Sequence, residues 1–264
     1  MPYVQLEFGK IHYRMKGNGP VLFILHGLGN NAQSWDNQLE ELSKSFRVIA
    51  WDAPGYGKSS DPHPDFETFQ EFSDVLNKVL EKLKIKSVFL LGHSMGAAIA
   101  IDFAYRFAEK VDKLVLSDPP RGAAVVTESK NKAKLNNRIY AIDVEGPEAL
   151  AKKRTRNLFS SYASEELIER AEQIMSQVRG PGYRSVSYSL YNLDQTMIFN
   201  KISAPTLVIC GELDNITPPE DSKFIHDRLQ DSTLQLIPRT GHLCYMEDPD
   251  SFNGIVEDFL IEKK

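Results

Sequence analysis

Four apolar runs in this chain are continuous rather than alternating: Val21-Leu22-Phe23-Ile24-Leu25, Val88-Phe89-Leu90-Leu91, Leu114-Val115-Leu116 and Thr206-Leu207-Val208-Ile209-Cys210. A strand covered on both faces carries no polar side chain at every second position, so such runs predict strands buried in a parallel sheet. Phe46-Arg47-Val48-Ile49-Ala50 and Leu234-Gln235-Leu236-Ile237 are shorter partners. Between them the apolar spacing changes to three or four. Phe69, Phe72, Val75, Leu76, Val79, Leu80 and Leu83 share one helix face, and 97–107 and 249–261 follow the same pattern. Strands alternating with helices predict an α/β fold, a mostly parallel central sheet flanked by helices. Residues 4–15 carry Gly9-Lys10 between two short runs and predict an antiparallel hairpin on the sheet edge.

The middle of the chain breaks this rhythm. From 119 to 197 no strong strand run occurs, and Lys, Arg, Glu, Ser and Tyr dominate. Gly146-Pro147 and Ser164-Glu165-Glu166 predict helix starts, and Gly180-Pro181-Gly182 a break between helices. The expected organisation is a core from 1–118 and 198–264, with a helical insertion at 119–197.

Composition limits what else the chain can be. At 264 residues it buries roughly 70–75% of its unfolded surface, so it needs no metal or disulfide to fold. Its two cysteines, Cys210 and Cys244, are too few for a disulfide framework or a multi-cysteine zinc site, and their apolar neighbours predict buried thiols. With 31 basic and 36 acidic residues the net charge is −5, which argues against a dedicated nucleic-acid binder. The most apolar stretch, Val88 to Ala104, is interrupted by His93, Ser94 and Asp102, so no membrane span is expected. Met1-Pro2-Tyr3-Val4-Gln5 has no signal-peptide character, and a cytoplasmic location is the expectation. Oligomeric state is not legible.

The chemistry concentrates at Gly92-His93-Ser94-Met95-Gly96, which follows one predicted strand and precedes one predicted helix. A Gly-x-Ser-x-Gly in that context is a sharp turn that lifts the serine hydroxyl above the sheet, with glycines where side chains would clash. It also sets the Met95 amide at a helix N-terminus, where it can donate to an oxyanion. His26-Gly27-Leu28-Gly29 follows another strand, and the Leu28 amide is the candidate second donor. His26 itself is expected to be a hydrogen-bonding scaffold residue.

A serine nucleophile needs a base, and the base an orienting acid. Of six histidines, only His242 lies in a loop after a late strand. His12 falls in the hairpin, His63 in a Pro-rich loop, His226 in a helix, and His93 is expected to point away from the serine. Asp214, in Gly211-Glu212-Leu213-Asp214-Asn215, is the candidate acid, with Glu212 expected to point elsewhere. Asp118, just after the strand 114–116, is its rival. Trp51 to Ser59 fails the phosphate-loop pattern and reads as a shaped loop beside the site. No Gly-x-Gly-x-x-Gly and no His-Glu-x-x-His occurs, so neither a dinucleotide nor a zinc site is implied.

Taken in order, His26-Gly27, Asp52-x-Pro54-Gly55-x-Gly57-x-Ser59, Gly92-His93-Ser94-Met95-Gly96, Pro205-Thr206, Gly211-x-x-Asp214 and Gly241-His242 resemble the α/β-hydrolase superfamily over essentially the whole chain. Ser-Met-Gly and Asp214-Asn215-Ile216-Thr217-Pro218 look like its small esterase, enol-lactonase and C–C-bond hydrolase branch. Ala97 departs mildly from the further Gly of many relatives. The resemblance implies a lid over the serine, no cofactor, and a serine hydrolase of esters or lactones. C–C, thioester or perhydrolase activity, and a non-catalytic binding protein, are the alternatives. The substrate is expected to be a small, partly apolar acyl compound, with Tyr140, Phe159, Tyr162, Tyr183, Tyr188 and Tyr191 either lining its pocket or packing the lid. Leu28 and Met95 are candidate substrate-binding residues. Arg121 is a candidate for meeting a substrate carboxylate, or else a surface salt bridge.

Overall fold

The computed structural model describes residues 2–122 and 126–262. Eight strands form one sheet: β1 (Tyr3–Leu6), β2 (Gly9–Lys16), β3 (Val21–Leu25), β4 (Arg47–Trp51), β5 (Val88–His93), β6 (Val111–Ser117), β7 (Thr206–Gly211) and β8 (Ser232–Ile237). Their spatial order is β1-β2-β4-β3-β5-β6-β7-β8. Only the first two pairings, β1 with β2 and β2 with β4, are antiparallel. From β4 to β8 every neighbour is parallel. The continuous apolar runs are the interior strands, as expected. The edge hairpin turns at Glu7-Phe8 rather than Gly9-Lys10, because Gly9 already pairs with Leu6.

The chain leaves β3 toward β4 on one side and returns as β5 on the other. The loops after β3 and β5 therefore diverge and leave a crevice at the strands' C-terminal ends, the usual ligand position in an open α/β sheet. The helices α1 (Asp36–Glu41), α2 (Phe69–Lys82) and α3 (Met95–Arg106) follow β3, β4 and β5. On one sheet face, Phe72, Leu76 and Val79 of α2 and Ile99 and Phe103 of α3 enter a common core. Burying each such side chain stabilises by roughly 1.5–3 kcal/mol. The α2 start is fixed by a capping box between Thr68 and Glu71.

Four helices lie between β6 and β7: α4 (Glu128–Tyr140), α5 (Pro147–Arg154), α6 (Glu165–Met175) and α7 (Gly180–Tyr191). The starts at Pro147 and Glu165 agree with expectation. The break between helices falls at 176–179, and Gly180-Pro181-Gly182 itself forms the first turn of α7, where a proline costs no intrahelical bond. Gly182 is needed there because a Cβ would fall 2.3 Å from the Gly55 carbonyl oxygen. Three shorter-range elements complete the fold: α8 (Pro219–His226), α9 (Cys244–Glu247) and α10 (Pro249–Ile261). The second core, on the other sheet face, packs Phe252 and Val256 of α10 with Trp35 and Tyr245. Among the described residues no helix is long and apolar enough to cross a membrane.

Candidate active site

Ser94 sits between β5 and α3 with φ 51° and ψ −115°. A non-glycine residue in that region is strained by roughly 1–3 kcal/mol and persists only where its surroundings enforce it. Here the enforcement is visible. The Ser94 N–H donates to the Ser117 carbonyl at 2.9 Å. A Cβ on Gly92 would lie 2.2 Å from the Gly96 oxygen, and one on Gly96 would lie 2.4 Å from the Leu25 oxygen. The two glycines thus let β5, α3 and the end of β3 meet. On the other side a Cβ on Gly27 would lie 3.2 Å from Ser94 Cβ, so the 26–29 turn abuts the serine. Leu28 follows in that turn, and Met95 opens α3, where the first N–H groups have no intrahelical partner.

His26 behaves as a scaffold. Its Nδ1 donates to the Gly27 carbonyl at 2.9 Å, and its Nε2 accepts from Ala53 N–H at 3.0 Å. Burial lowers its pKa, which keeps the ring neutral. The loop after β4 is tied to the same region through Asp52, which accepts from Ala32 N–H, Lys58 N–H and His12. His12 is thereby committed to Asp52, remote from the serine.

His242 and Asp214 come together from the loops after β8 and β7. His242 Nδ1 lies 2.8 Å from Asp214 Oδ2. Asp214 also accepts from Ile216 N–H at 2.7 Å and Thr217 N–H at 3.1 Å, so the carboxylate is anchored by its own loop. Burial raises its pKa, but His242 and these bonds outweigh burial and the net shift is downward. For His242 burial disfavours the charged ring, yet the charge and hydrogen bond of Asp214 prevail and raise its pKa. Glu212 points elsewhere, accepting from Arg239 N–H.

Asp118, the rival acid, is occupied differently. It takes the Gly211 N–H at 2.9 Å, the Ser117 hydroxyl at 2.7 Å and the Cys244 thiol at 3.1 Å. It makes no hydrogen bond to His242 among the described residues, and burial raises its pKa. Asp118, Cys210 and Asp214 bring potential metal-ligand atoms within 4.8 Å of one another. Burial, then the charge of Asp118, pushes the Cys210 thiol far up, and a protonated thiol is a poor ligand.

Two contacts were not legible in the sequence. His93 does not turn away from the site; its Nε2 donates to the backbone carbonyl of His242 at 2.8 Å, with the rings 4.9 Å apart. Burial, then the nearby His242, lowers its pKa to about 3, so it stays neutral and holds the loop. Thr217 Oγ1 lies 2.8 Å from Asp214 Oδ2 and 3.1 Å from His242 Nδ1. The sequence offers only a histidine next to the Gly-x-Ser-x-Gly serine and a threonine three residues after the acid, and neither pattern names its partner.

Ser94 and His242 line one cavity of about 140 Å³, together with Leu28 and Arg121. Arg121 forms no salt bridge among the described residues. Its guanidinium carbon lies 3.5 Å from the Phe224 ring centroid, and its Nε is buried without a partner. The six aromatic residues of the insertion do not line this cavity: Phe159 and Tyr183 are buried in packing, and Tyr162 is exposed. The lining is instead strongly basic, with Lys134, Arg138 and Arg154 added to Arg121. Of the two roles expected for these rings, Phe159 and Tyr183 take packing, while the exposed Tyr140 lines an adjoining outer basin.

A family model described as alpha/beta hydrolase fold matches residues 20–249. A 2-hydroxy-6-oxononadienedioate/2-hydroxy-6-oxononatrienedioate hydrolase of Comamonas testosteroni is 29% identical, over 95% of this chain and 91% of that protein. A 3-oxoadipate enol-lactonase 2 of Acinetobacter baylyi is 27% identical, over 90% and 87%. Among solved structures, a thermophilic esterase from Thermogutta terrifontis superposes with a TM-score of 0.88 at 25% identity, covering 98% of both chains.

Proposed function

We propose that this chain, which belongs to the α/β-hydrolase family and is a hydrolase, is a serine hydrolase that cleaves a carboxylic ester or lactone through an acyl-enzyme on Ser94. The observation that carries the reading is the convergence on one cavity of a strained serine and a histidine paired to a buried carboxylate. Ser94 Oγ attacks the carbonyl carbon while its proton passes to His242 Nε2. Asp214 fixes the tautomer by accepting from Nδ1 and stabilises the charged ring. The negative charge that develops on the carbonyl oxygen is met by the Leu28 and Met95 amides. As the carbon–oxygen bond to the leaving group breaks, His242 returns the proton to that oxygen. Water then loses a proton to His242, attacks the acyl carbon and releases the acid, and the proton returns to Ser94.

In this reading residues 119–197 act as a lid over the serine, Arg121 meets a substrate carboxylate, no cofactor takes part, and the setting is cytoplasmic. C–C bond hydrolysis by the same residues is the second reading, favoured by similarity to the Comamonas hydrolase. The test is turnover of a panel of p-nitrophenyl esters and simple lactones, wild type beside Ser94→Ala. The expected result is turnover by wild type and a loss on the order of 10³–10⁶-fold in the variant. No turnover together with no labelling of Ser94 by a fluorophosphonate would overturn it. Labelling without turnover of the panel would favour the second reading.

A further inference from the structure

The cavity at Ser94 gathers positive charge in a protein whose net charge is −5. Arg121, Lys134, Arg138 and Arg154 line it, with Asp221 the one acidic lining residue among those described. Several arginines elsewhere meet a carboxylate, among them Arg106, Arg156, Arg179 and Arg184. The Arg138 side chain makes no hydrogen bond or ion pair among the described residues. Arg154 gives one Nη1–H to the Tyr183 hydroxyl at 2.9 Å and meets no carboxylate. Burial, then the charge of Arg154, lowers the pKa of Arg138 to about 10. Two half-buried guanidinium groups that line one cavity repel each other unless an anion joins them. Their planar donor forks match the oxygens of a carboxylate or phosphate.

Position adds to charge. The cavity of about 140 Å³ is small for a whole ligand. Lys134, Arg138 and Arg154 also line an adjoining outer basin of about 570 Å³. The pair therefore stands at the junction between the reacting serine and the space where a longer substrate must extend. Arg121 belongs to a different wall, stacked on Phe224 of α8.

We propose that Arg138 and Arg154, assisted by Lys134, form an anion subsite, and that the substrate is an acyl compound bearing a carboxylate or phosphate group remote from its scissile carbonyl. Its application to a substrate rests on the serine-hydrolase reading; the binding of the anion does not. The experiment begins with the Ser94→Ala protein, titrated calorimetrically with adipate, with propyl phosphate and with neutral adipamide. Binding of one anion and not of adipamide is expected, and the arm that binds identifies the group. Arg138→Gln and Arg154→Gln, each confirmed folded by its thermal transition, are expected to weaken that binding about 10- to 100-fold. In the wild type, mono-p-nitrophenyl adipate is expected to show a lower KM than p-nitrophenyl hexanoate, and this preference to collapse in both arginine variants. Adipamide binding as tightly as both anions, or anion binding unaffected by either substitution, overturns the subsite. Anion binding without ester turnover upholds the subsite and counts against the hydrolase reading alone.

Discussion

As the proposed base, His242 would gain and lose a charge inside the protein, and its surroundings decide at which pH it can do so. Asp214 outweighs the desolvation of the ring and raises its pKa above the ordinary value of 6.5. A base has to be neutral to accept the Ser94 proton. Activity should therefore fall as pH drops through the raised pKa, and the acid limb of kcat/KM should have its midpoint above 6.5. A midpoint at or below that value would contradict the pairing. The two aspartates should separate by the same logic. Asp214→Asn removes the acceptor of the Nδ1 proton and should cost on the order of 10⁴-fold in kcat. Asp118→Asn removes a carboxylate whose bonds run to Gly211, Ser117 and Cys244, and kcat should stay within about tenfold of wild type. Steady-state kinetics on one p-nitrophenyl ester decides both, and equal losses would make Asp118 a partner of the base. Ser94, Asp214 and His242 were legible because each has a loop position that a local pattern marks. His93 was not, because its role depends on a carbonyl 149 positions away.

At the scale of elements, glycines decide how strand, turn and helix meet. Gly96 lies in the first turn of α3, where alanine is ordinarily favoured over glycine by about 1 kcal/mol. Against that gain stands the Leu25 carbonyl oxygen, 2.4 Å from where the new Cβ would be. The oxygen belongs to the interior strand β3, paired on both sides, and it cannot move without disturbing the sheet. The close contact wins, and Gly96→Ala should destabilise by about 1–3 kcal/mol. It should also shift Ser94 enough to slow its fluorophosphonate labelling. A melting temperature equal to wild type, with unchanged labelling, would show that the turn has slack. The strands themselves were readable from continuous apolarity, but their spatial order was not. The return of the chain across β3, which opens the crevice, is a long-range choice that no run of residues records. The place of Gly-Pro-Gly inside α7, rather than in the break before it, was not readable for a related reason. Its glycine answers to Gly55, over a hundred residues earlier, rather than to its own helix.

Across the whole molecule, the insertion is fastened unevenly, and that unevenness falls on the candidate site. Helix α7 buries Tyr183, Val186 and three serines. Around it, Arg179 donates to the Gly57 and Ser59 carbonyls, Arg184 meets Asp65, and Ser185 accepts from Phe66 N–H. Helix α6 is held by the Arg170–Asp36 pair and buries Ile168, Ala171, Ile174 and Met175. Among the described residues, helix α4 buries none of its own, and Asn131 ties it to the Tyr191 carbonyl at 2.8 Å. Yet α4 carries Asn131, Lys134 and Arg138 to the cavity lined by Ser94 and His242. Lys134 and Arg138 come from a different element than Arg121 or Arg154, so the gathering of these cations could not be read from spacing along the chain. Local opening follows burial and contact density, and the weakest unit opens first. Hydrogen exchange should accordingly be fastest at α4 among the four inserted helices, and slower at α7, which buries more and is held by more bonds. A carboxylate ligand held by Arg138 should slow exchange at α4 and leave α7 unchanged, since only the first gains a bond. Exchange as slow at α4 as at α7 in the free protein would remove the case for α4 as the moving wall of the pocket. Substrate would then have to enter past the rigid helices instead.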